Sequence, residues 1–180
     1  MVKFSIRDYS YFSDDLIVIG NPMSSIGEVL TSSDIADIFH SIISDNRLHR
    51  YYEMHGYFSI FYKTADDNWA YIGDSVRSNR IFYETVSKNE WHIFDLRYVM
   101  EKTDNFNLTE NKAIIRTHFL SSFDWDESTI LQNVKQLLGG YYYLFGDSGL
   151  VSSQIHHFSR EYKVNQITTE LFNKLDGTYR

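Results

Sequence analysis

The side chains with chemistry to offer in these 180 residues carry oxygen or nitrogen, because the sequence contains no cysteine. That excludes a thiolate nucleophile, a disulfide framework and cysteine-based zinc or iron–sulfur sites. Asp34 stands out among the carboxylates. It follows Thr31-Ser32-Ser33 and heads a run in which Ile35, Ile38, Phe39, Ile42 and Ile43 recur at helical spacing. A carboxylate at a helix start is stabilised by the helix dipole, and the same place suits a ligand amine. The polar cluster before it favours the capping role. Asp66 and Asp67 sit in a polar break between aromatic runs, where aspartate closes turns with its own backbone. The seven histidines are scattered and only His156 and His157 are adjacent. Neighbours on a strand point to opposite faces, so no metal site is expected. Phosphate-loop, dinucleotide, zincin and Gly-x-Ser-x-Gly patterns are all missing, and no catalytic residue is assigned.

These residues need elements to hold them. Leu16-Ile17-Val18-Ile19 reads as a buried strand ended by the turn Gly20-Asn21-Pro22. The helix headed by Asp34 is expected to fade near His55-Gly56, where glycine suits a left-handed cap. Tyr57-Phe58-Ser59-Ile60-Phe61-Tyr62 and Trp69-Ala70-Tyr71-Ile72 form one hairpin pattern. Because the first of these runs is apolar or aromatic on both faces, it predicts a strand covered on two sides. A second hairpin joins the run from Ile81 to Val86 with Trp91-His92-Ile93-Phe94. A third joins the run Tyr141 to Phe145, through Gly146-Asp147-Ser148-Gly149, to Leu150-Val151. The tyrosines Tyr141, Tyr142 and Tyr143 are expected to pack in a core with hydroxyls at its rim; a base-stacking platform is the weaker alternative. A helix is expected over 109–120, with Ile114, Ile115, His118 and Phe119 as its stripe, and another in the tail, where Ile167, Leu171, Phe172 and Leu175 share a face.

Seventeen basic against twenty-four acidic residues give a formal charge of −7, which argues against nucleic acid or an anionic bilayer as partner. No apolar run reaches the ~18 residues of a membrane span, and residues 1–11 lack the order of a signal peptide, so a cytoplasmic protein is expected.

Read in order, the segments resemble the amino-terminal glutamine-amidotransferase-type lobe of the asparagine synthetase family. Thr31-Ser32-Ser33-Asp34 resembles the family's T-x-S-D element, and Gly56-Tyr57-Phe58-Ser59-Ile60 resembles the G-x-F-A-[FI] strand after it. The stretch from Asp74 through Arg80-Ile81-Phe82-Tyr83 matches R-D-x-x-G-x-K-P-L-Y-Y in spacing. There Gly73 replaces the arginine, Arg77 the glycine and Asn79-Arg80 the Lys-Pro pair. Phe94-Asp95-Leu96-Arg97 falls where the family opens a short helix, and 134–143 is similar to I-x-x-L-P-x-G-H-x-L, with Leu138 in place of proline.

The resemblance implies an α+β fold, a four-layer αββα sandwich of two antiparallel sheets flanked by helices, as in amino-terminal-nucleophile (Ntn) hydrolases. It implies an amidotransferase-like domain over 1–163 and a linker helix over 164–180 toward a synthetase domain. In active members an amino-terminal cysteine hydrolyses glutamine to release ammonia. Met1-Val2 offers no such nucleophile, and of the family's Asn-Gly-Glu sequence only Gly20 is matched. The chain before Leu16 is too short for the segment carrying the family's glutamine-carboxylate arginine. Asp34 matches the position that grips the substrate amine. Asp34 and Gly20 are therefore read as relic substrate-site positions. The implied function is a non-catalytic lobe of an ATP-dependent amide-forming ligase, structural or substrate-guiding, as in β-lactam-forming and lasso-peptide-cyclising relatives. Its partner would be an ATP-pyrophosphatase domain in cis or in trans, with ATP and Mg bound there and not in this chain, and a peptide substrate is a further candidate partner. The alternatives are a stand-alone peptide-binding module and an amidohydrolase with an unrecognised Ser or Thr nucleophile.

Overall fold

The computed structural model describes residues 1–121 and 126–155, with the backbone alone for 117–121. The tail helix, the 164–180 linker and the His156-His157 pair lie outside the described residues, as do the side chains of His118 and Phe119. Among the described residues the ten strands are β1 (Val2–Ser5), β2 (Tyr11–Phe12), β3 (Leu16–Met23), β4 (His55–Lys63), β5 (Trp69–Gly73), β6 (Ile81–Ser87), β7 (Glu90–Asp95), β8 (Val134–Gln136), β9 (Tyr141–Gly146) and β10 (Gly149–Gln154). The helices are α1 (Ser32–Ser44), α2 (Leu96–Glu101) and α3 (Lys112–Ser121). The chain is α+β with two sheets, a four-stranded one in the order β1-β7-β6-β8 and a six-stranded one in the order β10-β9-β5-β4-β3-β2.

Period-two patterning decides what each sheet face meets. Phe58 and Ile60 of β4 join Leu16 and Val18 of β3, Ala70 and Ile72 of β5, and the α1 residues Ile35, Ile38, Phe39 and Ile42 in one apolar cluster. The alternate residues Ile17, Ile19, Phe61, Tyr71, Tyr143 and Phe145 instead join Ile81, Tyr83, Trp91 and Ile93 of the other sheet. The aromatic rings meet directly across the sheets: Phe4 lies 5.1 Å from Phe61, and Phe145 lies 5.9 Å from Tyr83 and 5.6 Å from Trp91. On the far face of the four-stranded sheet Phe82, Phe94 and Val134 pack with Tyr98 and Val99 of α2 and with Phe106. β4 is thus covered on both sides, as its composition predicts.

All three predicted hairpins form, each antiparallel. Their turns use residues that tolerate the left-handed region, with Asp67 at φ 62° and Asn89 at φ 60°. The expectation of purely antiparallel sheets is corrected at one edge. β1 runs parallel to β7, with Val2 opposite Trp91 and Ser5 opposite Phe94. Parallel neighbours need a long crossover, and the chain between β1 and β7 supplies one by first building much of the six-stranded sheet.

Two boundaries also differ from expectation. α1 ends at Ser44, about ten residues before His55, because Ser44-Asp45-Asn46 is polar and Asn46 adopts φ 54°; a 3-10 segment, Leu48–Glu53, follows. Gly56 caps no helix and lies inside β4. β3 does not stop at Gly20 and pairs with β4 through Pro22 and Met23. Pro22 is accommodated because β2 pairs only with Ile17 and Val18, so the flank of Pro22 away from β4 needs no ladder donor from its nitrogen, and its carbonyl there accepts from Leu30 N at 2.9 Å. The helix expected over 109–120 is α3 and starts at Lys112, where the Asn111 side chain accepts from Ala113 N at 3.0 Å. No helix among the described residues is long and apolar enough to cross a membrane.

Candidate functional site

Asp34 is placed by its own helix start. Thr31 is the N-cap of α1 and the two residues form a reciprocal capping box. Asp34 Oδ2 accepts from Thr31 N at 2.9 Å and from Thr31 Oγ1 at 2.6 Å, while Thr31 Oγ1 accepts from Asp34 N at 3.3 Å. These bonds to Thr31, side chain first and backbone second, hold the Asp34 carboxyl below its usual value. The cap reading is therefore what the geometry satisfies.

The same carboxylate also borders a depression of about 410 Å³, together with Asp37, Arg50, Glu53, Tyr52, Leu30 and the serines Ser24 and Ser25. Arg50 is its fixed point. Its guanidinium donates to Asp37 Oδ2 at 2.7 Å, to Ser41 Oγ at 2.8 Å and to both oxygens of Glu53, at 2.9 and 2.8 Å. The bonds to Glu53 and then Asp37 raise the Arg50 pKa further, and Arg50 in turn lowers that of Glu53. Three carboxylates (Asp34, Asp37, Glu53) against one guanidinium leave two net negative charges around the opening. Such a wall suits a cationic amine and repels an anion.

Gly20 does not share this wall. It lies on β3 with φ 81°, where a Cβ would come within 2.3 Å of Tyr57 O, so its role there is to let β3 and β4 approach closely. Its carbonyl accepts from Ser10 Oγ at 2.6 Å. Met1 lines a different cleft, of about 460 Å³, with Lys63, Asp66, Asp67, Trp69, Trp91 and Asp147, and its ammonium donates to Asn89 O. Gly20 pairs with Phe58, whereas Lys63 at the Met1 cleft is five residues along β4, about 16 Å at the rise of an extended strand. The two relic positions and Met1 therefore do not converge on one site.

Asp66 and Asp67 are turn residues as expected; Asp67 N donates to Thr64 O at 3.0 Å and its carboxylate meets Lys63 Nζ at 2.5 Å. Tyr143 packs fully buried between the sheets, and its hydroxyl accepts from Leu138 N at 3.1 Å. No three His, Asp or Glu side chains of the described residues come together as a group that could hold a metal ion.

Three arrangements escaped the sequence reading. Arg50 gathers its carboxylates through an irregular segment after α1, for which periodicity has no signal. Asp74, marked in the sequence only by its place in the stretch resembling R-D-x-x-G-x-K-P-L-Y-Y, is buried and collects backbone donors from Phe58, Val76 and Ser78. His92 is buried on β7 between two side-chain partners, and a histidine inside an aromatic strand was its only advance mark.

A cap prediction follows from the Asp34 geometry. Thr31→Ala is expected to cost ~1 kcal/mol of stability, and the NMR titration midpoint of Asp34 should move up toward that of a free aspartate. Because the folded value is depressed, the stability linked to Asp34 ionisation is present above its unfolded value, near pH 4, and is lost as pH falls through the folded value. An unmoved midpoint in the variant would count against the cap.

With fold and geometry in place, comparison with known proteins adds no relative: no family model matches the chain, and no curated protein matches it.

Proposed function

We propose that this chain is an amidotransferase-like lobe of an ATP-dependent amide-forming ligase, without glutaminase activity, that covers the synthetase domain and guides its substrate. The observation that supports this reading is the aromatic cluster joining the two sheets, with α1 on the outer face of one and α2 on the outer face of the other. That layering is the one expected of an αββα, Ntn-hydrolase-like sandwich. The lack of any cysteine among the 180 residues supports the loss of the glutamine reaction. The negatively walled depression beside Asp34 fits a substrate-guiding role, since it would draw the amine of a peptide or amino-acid substrate toward the lobe. ATP and Mg belong, in this reading, to the synthetase domain.

The test has two arms. Purified protein with glutamine is expected to release no ammonia above the buffer control in a glutamate-dehydrogenase-coupled assay. Co-expression with an ATP-pyrophosphatase domain encoded in cis or by an adjacent reading frame is expected to give a complex that co-elutes on size exclusion. Glutamine turnover would overturn the inactive-lobe reading, and failure to find or bind such a domain would overturn the ligase assignment.

A further inference from the structure

We propose that Ser5, His92 and Glu84 form a nucleophilic relay on the outer face of the four-stranded sheet, able to accept an acyl group from a small activated ester. Three adjacent strands supply one residue each. His92 Nε2 lies 2.9 Å from Ser5 Oγ, and His92 Nδ1 lies 2.9 Å from Glu84 Oε1. Glu84 is directly opposite His92 in the β6–β7 pairing. On the other side Lys3 is opposite His92, so Ser5, two residues on along the same strand face, lies diagonal to it.

Chemistry orders the protons in this chain of contacts. A carboxylate only accepts, so Glu84 places the neutral imidazole's proton on Nδ1 and leaves Nε2 to accept from the Ser5 hydroxyl. That polarity is the one by which a base activates a serine, with a third group holding the imidazole in the working tautomer. The ring is also held in place by its neighbours. It packs 4.9 Å from the Phe94 ring and 5.2 Å from the Tyr98 ring at an interplanar angle of 86°. His92 is 7% exposed while Ser5 is only half-buried, so the base is more sheltered than the residue it would activate. A histidine needed only for packing would be satisfied by any polar neighbour. Here both ring nitrogens meet side chains, from two different strands, in the sequence nucleophile, base, acid.

The surroundings set the substrate class. The N–H groups of Arg7 and Asp8, just beyond Ser5, already donate to Asp95 Oδ2 at 2.5 and 3.3 Å. They are thus committed elsewhere and do not stabilise an oxyanion. The relay therefore suits electrophiles that need little such help, namely esters with good leaving groups, and not peptide bonds. In the step, Ser5 Oγ forms a bond to the acyl carbon as its proton passes to His92 Nε2. The carbon–oxygen bond to the leaving group then breaks, and the departing alkoxide takes the proton from His92. Water, deprotonated by the same nitrogen, releases the carboxylic acid and restores Ser5. This site is independent of the ligase-lobe reading and uses none of its residues.

The probe is an alkyl fluorophosphonate, which forms an oxygen–phosphorus bond with an activated serine and expels fluoride. The full 180-residue protein is incubated with it, and the adduct is located by peptide mass spectrometry. A stoichiometric adduct on Ser5 is expected. It should vanish in Ser5→Ala, labelling should slow by ~100-fold in His92→Gln, and it should also slow in Glu84→Gln, where the working tautomer is no longer enforced. Glu84→Gln retains an acceptor oxygen at Nδ1, so its thermal midpoint serves as the control for folding. No adduct on Ser5 overturns the proposal. So does a Ser5 adduct formed at the wild-type rate in a folded Glu84→Gln protein.

Discussion

Phe61→Ala is expected to lower the unfolding free energy by about 3–5 kcal/mol, the cost of removing a buried ring and leaving a cavity. Phe61 is fully buried on β4 and belongs to the cluster that both sheets build. Its ring lies 4.8 Å from Tyr71 on its own sheet and 5.1 Å from Phe4 on the other. For a chain of this size the thermal midpoint should fall by roughly 10 °C. Urea unfolding would read the change as a lower midpoint at unchanged slope. A double-mutant cycle with Phe4→Ala adds a sharper requirement. Edge-to-face pairs contribute ~0.5–1.5 kcal/mol beyond their burial, so the two substitutions should fall short of additivity by that amount. Strict additivity would mean that the sheets do not meet through these rings.

Asp74→Ala is the second large effect, expected at ~3 kcal/mol, because a buried carboxylate that organises backbone donors cannot be removed without leaving those donors unpaired. Asp74 is 4% exposed. Its Oδ2 accepts from Phe58 N at 3.0 Å, and its Oδ1 accepts from Val76 N at 3.0 Å and from Ser78 N at 3.2 Å. The carboxylate therefore ties the loop after β5 to the middle of β4. Gly139 packs against that loop so closely that a Cβ would come within 2.4 Å of Asp74 O. Loss of the carboxylate should therefore loosen the 138–140 turn as well. Hydrogen exchange is the discriminating measurement: Phe58 and Ser78 amides should lose protection in Asp74→Ala far more than those of α1. Uniform loss of protection across the chain would show that the carboxylate stabilises the whole fold without anchoring this loop in particular.

Much of the architecture was legible from residue pattern. The hairpins were readable because strand alternation and turn residues are local properties, and Asp67, Asn89 and Gly149 all stand at positive φ where the turns require it. The N-terminus of α1 was readable for the same reason, since a capping box needs only residues three apart. The end of α1 was harder to read. Ile42 and Ile43 continue the apolar pattern into a polar segment whose conformation depends on what Arg50 finds to bind. β1 was missed because four residues at an edge show no distinctive period, and its parallel pairing depends on β7, nearly ninety residues away. Gly20 and Asp34 were legible as special positions, one by its backbone and one by its place before an apolar stripe, yet their separation from the Met1 cleft is a matter of strand register.

Composition and neighbours a few residues apart were enough for the three hairpins, the start of α1 with its cap at Asp34, the doubly buried strand β4 and the exclusion of thiol chemistry. The tertiary structure alone decided which strand faces share a core, that Arg50 would draw Asp37 and Glu53 together, and that Ser5, His92 and Glu84 would meet across three strands. His92 and Ser5 are 87 residues apart in the chain. Contacts of that range form when buried faces select a register, and no local pattern encodes the register that two sheets adopt once they pack.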